Sequence, residues 1–404
     1  MKKVILFLVG IIILNSEIFA QDMLKFSAQV RPRFEVDGKD FNSNTDASTF
    51  SLLRTRLGAE FMPSPDISAF IQIQDSRTFG EETSTTANMK NLDLHQAYLK
   101  VTDLFGLPLD IKLGRMSIAY GSERIVSVVN WNNIGRSLDG GIATLKLHNV
   151  KLDFMIFREF ERFNVGDSLD QNIYGLFADL SFFKSYKIQP FILSQRQNPL
   201  NLLNRTTLGV YINGKLGNFN HEMDFAYQTG KAFISGREQN LGGYTFSYGA
   251  NYTFDAPTKP FVGAQIDYVS GDNNATDNDY KAFTTLYGTG HKFFGYMDYF
   301  TNFPTHTFGL GIIDIVAKAG VSLTDKWNLF AHFHLFQSAE DYILLNGSSS
   351  NSFGSEIDFV TNYKYTKNLT FELGTSLFFP GDIFKERRGK DTAAWAYAMA
   401  IFNF

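Results

Sequence analysis

From Leu24 to Val36 the chain alternates. Leu24, Phe26, Ala28, Val30, Pro32, Phe34 and Val36 share one face, and Lys25, Ser27, Gln29, Arg31, Arg33 and Glu35 share the other. Period two is the signature of a strand with one face in an apolar medium and the other in a polar one. Leu53, Thr55, Leu57, Ala59 and Phe61 oppose Arg54, Arg56, Gly58 and Glu60 in the same way. The pattern returns at 219–228, 244–254 and 356–365. Many runs reach about ten to thirteen residues, against about five or six for a strand of a soluble sandwich. That is the length a tilted strand needs to cross a bilayer. No stretch reads as a long amphipathic helix.

The connectors alternate long and short. Long ones lie near 37–48, 77–91, 116–138, 162–172, 197–205, 231–241, 271–310, 339–352 and 380–392. Short ones lie near 62–66, 103–108, 148–150, 184–186, 216–218, 255–259, 324–326 and 366–368. Breakers occupy the short ones, as in Pro63-Ser64-Pro65-Asp66, Gly106-Leu107-Pro108 and Asp255-Ala256-Pro257. Nine long loops and eight short turns join eighteen strands. Lipid offers no partner for backbone N–H and C=O groups, so a spanning sheet must close on itself. The expectation is an all-β chain: one antiparallel transmembrane barrel of about 18 strands, with long extracellular loops and short periplasmic turns. Its lumen is too wide for side chains alone to fill, and water enters.

Composition agrees. The 404 residues include 41 Phe and 18 Tyr but only three Trp, and hydrophobic residues make up 44%. That share is too low for a bundle of membrane helices. With no cysteine, disulfides, thiol nucleophiles and thiolate metal sites are ruled out. The near balance of 37 basic and 41 acidic residues gives no field for nucleic acid. Lys2 and Lys3, the apolar run Val4–Leu14 and Ile18-Phe19-Ala20 before Gln21 read as a secretory leader. The apolar run is too short to span a membrane. Residues 1–20 are therefore expected to be removed, leaving 21–404 as the barrel in a Gram-negative outer membrane. The chain ends on Phe404 within an apolar strand, a feature that outer-membrane insertion machinery reads.

If the apolar faces meet lipid, the polar faces line the lumen. Arg31, Arg33, Arg54 and Arg56 then cluster on the first two strands. Asp224, Asp267, Asp314, Glu356, Asp358 and Glu372 point inward from later ones. Arginine suits carboxylate ligands because its planar fork bonds two oxygens at once. Rings of arginine mark anion-selective pores. The alternative is that these charges pair with one another and merely satisfy a polar interior.

Several segments resemble the alginate export family of outer-membrane barrels. They are Asp93-Leu94-His95-Gln96-Ala97-Tyr98-Leu99; Leu113-Gly114-Arg115 with Tyr120-Gly121 and Arg124; Trp131 with Gly135-Arg136-Ser137-Leu138-Asp139-Gly140; and Gly290-His291-Lys292-Phe293-Phe294-Gly295-Tyr296-Met297-Asp298. The resemblance covers most of the chain in the family's order. It implies an eighteen-stranded conduit for a polyuronate such as alginate, with periplasmic partners delivering the polymer. It also implies Arg115 and Arg136 as substrate contacts by motif position, beside Arg54 and Arg56 by lumen placement. His291, Tyr296 and Asp298 stand in the longest loop as gating candidates.

Catalytic readings are weaker. His332 and His334 face one way and could hold a metal with Glu356 or Asp358. Ser322 and His332 could form the hydrolytic pair of a barrel lipid hydrolase. The Asn/Asp stretch 272–279 lacks the glycine and terminal glutamate of a calcium loop. No elbow or phosphate-binding loop occurs. The reading is a passive channel for an anionic solute, with no catalytic residue, metal or cofactor. The solute is an oligo- or polysaccharide or, in the alternative, a small organic anion or other nutrient.

Overall fold

The structure, a computed structural model, describes residues 23–87, 91–161, 170–197, 203–274 and 276–404. The expected leader, 1–20, lies outside them.

Twenty strands follow one another. They are β1 (Leu24–Gly38), β2 (Ser48–Ser64), β3 (Ile67–Thr78), β4 (Leu92–Val101), β5 (Leu109–Met116), β6 (Leu138–Lys146) and β7 (Val150–Phe160). Then come β8 (Gln171–Leu180), β9 (Tyr186–Gln197), β10 (Leu203–Leu216), β11 (Phe219–Ile234), β12 (Arg237–Leu241), β13 (Tyr244–Thr253) and β14 (Phe261–Val269). The last are β15 (Asp279–Tyr280), β16 (Ile312–Ser322), β17 (Trp327–Ile343), β18 (Ser349–Lys364), β19 (Leu369–Pro380) and β20 (Ala393–Asn403). A short helix, α1 (Asp382–Arg387), caps the β19–β20 loop.

Eighteen of these strands form the wall, each antiparallel to its neighbours. β12 is a hairpin extension of β11, and β15 pairs with β12 in parallel. β1 closes the ring against β20, from Gln29↔Asn403 to Gly38↔Ala394. The closing ladder lapses at Arg31 and Pro32, because proline has no N–H to give, and resumes at Arg33↔Met399. Phe404 adds two backbone bonds with Ala28. No edge is left for lipid to cover.

The alternation sorts as expected. Phe26, Phe34, Leu57, Phe61, Ile71, Leu99, Phe154, Leu208, Phe333 and Phe371 stand exposed on the outer face, where lipid covers them. Arg31, Arg54, Gln74, Asp224, Asp267, Asp314, His334 and Glu356 are buried on the inner one. Among the described residues no helix is long and apolar enough to cross a membrane.

A hydrophobic core lies inside the barrel. The long β14–β16 loop turns inward and brings Phe293, Phe294, Met297, Phe300 and Phe303 under the wall. Phe300 packs against Phe336 (4.6 Å between centroids), Phe353 (5.3 Å) and Phe384 of α1 (5.3 Å). Inward-pointing aromatics on β17 to β19 thus have an apolar partner within the lumen. The segment Gly295–Asp298 packs on the inner side of the wall, with Met297 buried and its N–H on Glu356.

Candidate pore constriction and vestibule

Arginines of β1 and β2 face the inward-turned β5–β6 loop. Arg31 donates to the carbonyls of Asn130 (2.6 Å), Trp131 (3.2 Å) and Asn132 (3.1 Å). Arg33 donates to Trp131 (2.8 Å). Arg54 donates to the carbonyls of Asn130 (3.1 Å) and Asn132 (3.0 Å) and to Asn130 Oδ1 (2.8 Å). Arg56 reaches the Ile134 carbonyl (2.9 Å) and Gln74 Oε1 (2.6 Å). Loop carbonyls with no ladder partner would be costly inside the barrel, and the guanidinium forks satisfy them. The loop stays in the lumen for that reason. Among these four, only Arg33 has a carboxylate partner, Glu35 at 2.8 Å. Among the described residues the other three donate to neutral groups.

The second loop zips onto the first. Ser127 N–H donates to the Tyr287 carbonyl (2.8 Å), Tyr287 N–H to Ile125 (3.0 Å) and Thr289 N–H to Glu123 (3.1 Å). Arg136 donates across this seam to the carbonyls of Ser127 and Tyr287. Burial lowers the pKa of its guanidinium.

Beneath the β14–β16 loop lie the carboxylates of the later strands. Arg124, from the β5–β6 loop, pairs with Asp267 (2.8 Å) and lies 3.6 Å from Asp224. His334 contacts Asp314 (2.8 Å) and Asp358 (3.6 Å). Glu356 accepts the Met297 N–H (2.9 Å), and Ser376 donates to Asp358. These acids are buried, with Arg124 and His334 beside them.

The loops leave two chambers. A vestibule of about 710 Å³ opens towards the long-loop ends of β2 and β3, lined by Arg33, Arg77, Trp131, Arg136, His291 and Asp298 among others. A smaller one of about 260 Å³ lies nearer the short turns, between Tyr120, Glu123, Lys151, Asp153, Asp179 and Lys187. In the vestibule Arg33 lies 4.0 Å from the Trp131 ring centre. His291 stacks on Trp131 at 4.0 Å and on Tyr296 at 5.1 Å, and its Nδ1 lies 2.9 Å from Asp298.

The structure therefore brings together Arg31, Arg33, Arg54 and Arg56, with Arg136, His291, Tyr296 and Asp298 around the same loop. Arg54 has no exposed surface and Arg31 only 3%, so their contacts are with the loop. Arg115 is different, and its expected lumen contact is corrected. It has the parity of the lipid-facing Leu113 and pairs with Asp139 (2.6 Å) on the outer face. Met116, next to it, is the side chain that points in and is buried. The hydrolytic pair does not form either. Ser322 stands opposite Asn328 and donates to it (2.7 Å), while His332 stands opposite Lys318. Among the described residues no group of three or more His, Asp or Glu is arranged to hold a metal ion. Lys151, Lys187 and Gln189 of the lower chamber were not singled out from the sequence, although strand parity alone turns them inward.

A family model described as alginate export matches residues 22–397. Among solved structures, Acinetobacter baumannii OccAB4 superposes with a TM-score of 0.63 at 10% identity, covering 95% of this chain and 98% of that one. Pseudomonas aeruginosa OpdK with vanillate gives 0.61 at 8% identity over 94% and 98%. Pseudomonas aeruginosa OccD3 (OpdP) gives 0.60 at 11% over 94% and 91%. At these identities the likeness is one of fold. No curated protein matches the chain. With its closed eighteen-stranded ring, its lipid-facing belt and a family match spanning nearly all of its length, the chain belongs to the alginate export family of outer-membrane β-barrel proteins.

Proposed function

We propose that the protein is a passive outer-membrane channel selective for anionic solutes, and that the vestibule beside the arginine cluster is where the solute is recognised. One observation carries this reading. The cations Arg31, Arg54 and Arg56 donate to neutral acceptors, whereas Asp267, Asp314 and Glu356 are buried beneath the β14–β16 loop and held by Arg124, His334 and the Met297 N–H. These three cations put positive charge without a carboxylate partner beside the vestibule, and low-dielectric walls focus its field. Entry needs attraction, and exit needs weak, successive sites, which the half-exposed Arg56 and Arg136 supply.

A vestibule of about 710 Å³ accommodates a small organic carboxylate without moving either loop. The second reading, passage of a polyuronate such as alginate, draws on the family match. It requires the seam at Ser127 and Tyr287 to part, with periplasmic partners presenting the polymer. Reversal potential across a salt gradient in planar bilayers tests the proposal. Anion preference is expected, reduced in R56A; a cation-selective pore would refute it. Block of the current by a uronate monomer as well as by oligomers favours the small-solute reading, and block by oligomers alone favours the polymer.

A further inference from the structure

On the outer face, one row of directly paired side chains crosses seven strands. Arg115 of β5, Arg158 of β7, Arg196 of β9 and Lys231 of β11 stand in it, with Asp139, Asn172 and Asn204 opposite them on the strands between. All have the parity of the lipid-facing Leu113, Ile156, Ile192 and Leu208. Neighbouring strands lie about 4.8 Å apart, so a cation recurs roughly every 10 Å around the wall. Each member stands within a few residues of the long-loop end of its strand, on the side of the outer leaflet. No arginine occurs between 238 and 386, the span that includes β13 to β19.

Directly below the row the wall is hollowed. An apolar groove of about 530 Å³ is lined by Ile111, Leu113, Phe154, Ile156, Tyr174 and Ile192. Gly141 deepens it, because a Cβ there would lie 2.5 Å from Leu113 Cδ2. The cations above differ in their partners. Arg115 pairs with Asp139 (2.6 Å), Arg158 with Asp170 and with Glu161 (3.3 Å), and Lys231 with Glu238 (2.6 Å). Arg196, at the centre, donates to the carbonyls of Gln195 and Arg205 and to the Thr206 hydroxyl, each at 3.1 Å. Among the described residues no carboxylate neutralises it. The site thus joins the Arg196 guanidinium, flanked by Arg158 and Lys231, to a groove of acyl-chain character beneath.

We infer that this sector binds a phosphorylated, acylated glycolipid of the outer leaflet. A phosphate lies on Arg196 with Arg158 beside it, and one acyl chain lies along the groove. The guanidinium fork matches two phosphate oxygens at once. The site is separate from the lumen, and its test does not depend on what the channel carries.

Native mass spectrometry of the folded barrel in detergent tests it. The probes are a bis-phosphorylated acylated diglucosamine, the same molecule without phosphates, and phosphatidylglycerol. The phosphorylated glycolipid is expected to be retained preferentially. Its retention should fall about tenfold in R158A/R196A, the scale set by loss of charge-assisted contacts, and should persist in the charge-keeping R158K/R196K pair. Equal retention of the dephosphorylated form or of phosphatidylglycerol by the wild-type barrel would overturn the proposal, whatever the variants do. So would unchanged retention in R158A/R196A, with its folded state confirmed by heat-dependent gel mobility.

Discussion

Arg54 holds Asn130 twice. Its Nη2 meets Asn130 Oδ1 at 2.8 Å, and its Nη1 meets the Asn130 carbonyl at 3.1 Å. A wall residue with no exposed surface thereby fixes both the backbone and the side chain of a loop residue in mid-lumen. The constriction is a property of this contact and its neighbours as much as of barrel diameter.

Replacing Arg54 with alanine should free the β5–β6 loop. Several carbonyls lose donors in a partly dry site, a cost of about 2–5 kcal/mol for the folded loop arrangement. Single-channel recordings should show larger conductance and frequent transitions between levels. R54K, which supplies a point charge without the fork, should fall in between. A quiet trace with wild-type conductance in R54A would show that the loop is held elsewhere.

Gly295 has φ +80°, and a Cβ there would stand 2.6 Å from Glu356 Oε2. G295A should therefore cost about 1–2 kcal/mol in backbone strain, with the steric conflict added. The β14–β16 loop should become cleavable by protease near 290–300 at concentrations that spare the wild type. E356Q keeps an oxygen for the Met297 N–H and should be milder. Equal resistance of G295A and wild type would refute this docking.

Arg115 faces outward and pairs with Asp139, so R115A should leave the reversal potential unchanged while R56A shifts it. Measuring both variants in one salt gradient checks the assignment of faces. A shift in R115A as large as in R56A would place Arg115 in the conduction path after all.

His306, in the β14–β16 loop, accepts the N–H groups of Thr301 (3.1 Å) and Asn302 (3.2 Å) at Nδ1, which requires the neutral ring. Burial, and then the nearby Arg388, hold its pKa below the usual histidine value, opposed by Asp298. A folded pKa below the unfolded one means stability that is full above pH 6.5, the ordinary histidine value. It is lost as pH falls through the lowered value. Thermal stability of the wild type should fall on acidification below pH 6.5, and H306A should lose this component. Identical acid profiles for the two would refute the role.

Much of the architecture was legible in residue order. Strand count, loop and turn alternation and the inward parity of Arg31, Arg33, Arg54 and Arg56 all follow from period two, because lipid outside and water inside impose opposite demands on successive side chains. The same parity, applied strictly, would have turned Arg115 outward. Motif position pointed the other way, and geometry decided.

What no local pattern carries is where the loops go. Asn130, Trp131 and Asn132 read as an ordinary polar connector, and their carbonyls matter only because wall arginines nearly a hundred residues away lie within reach. The acids of β13 to β18 read as lumen charge until Phe293 to Phe303 fold over them. Alternation is a one-dimensional consequence of two solvents and is written in the chain. Which loop satisfies which buried donor or acid is set by closure of the ring, which brings residues far apart in sequence into one small volume where unpaired polar groups are too costly to leave.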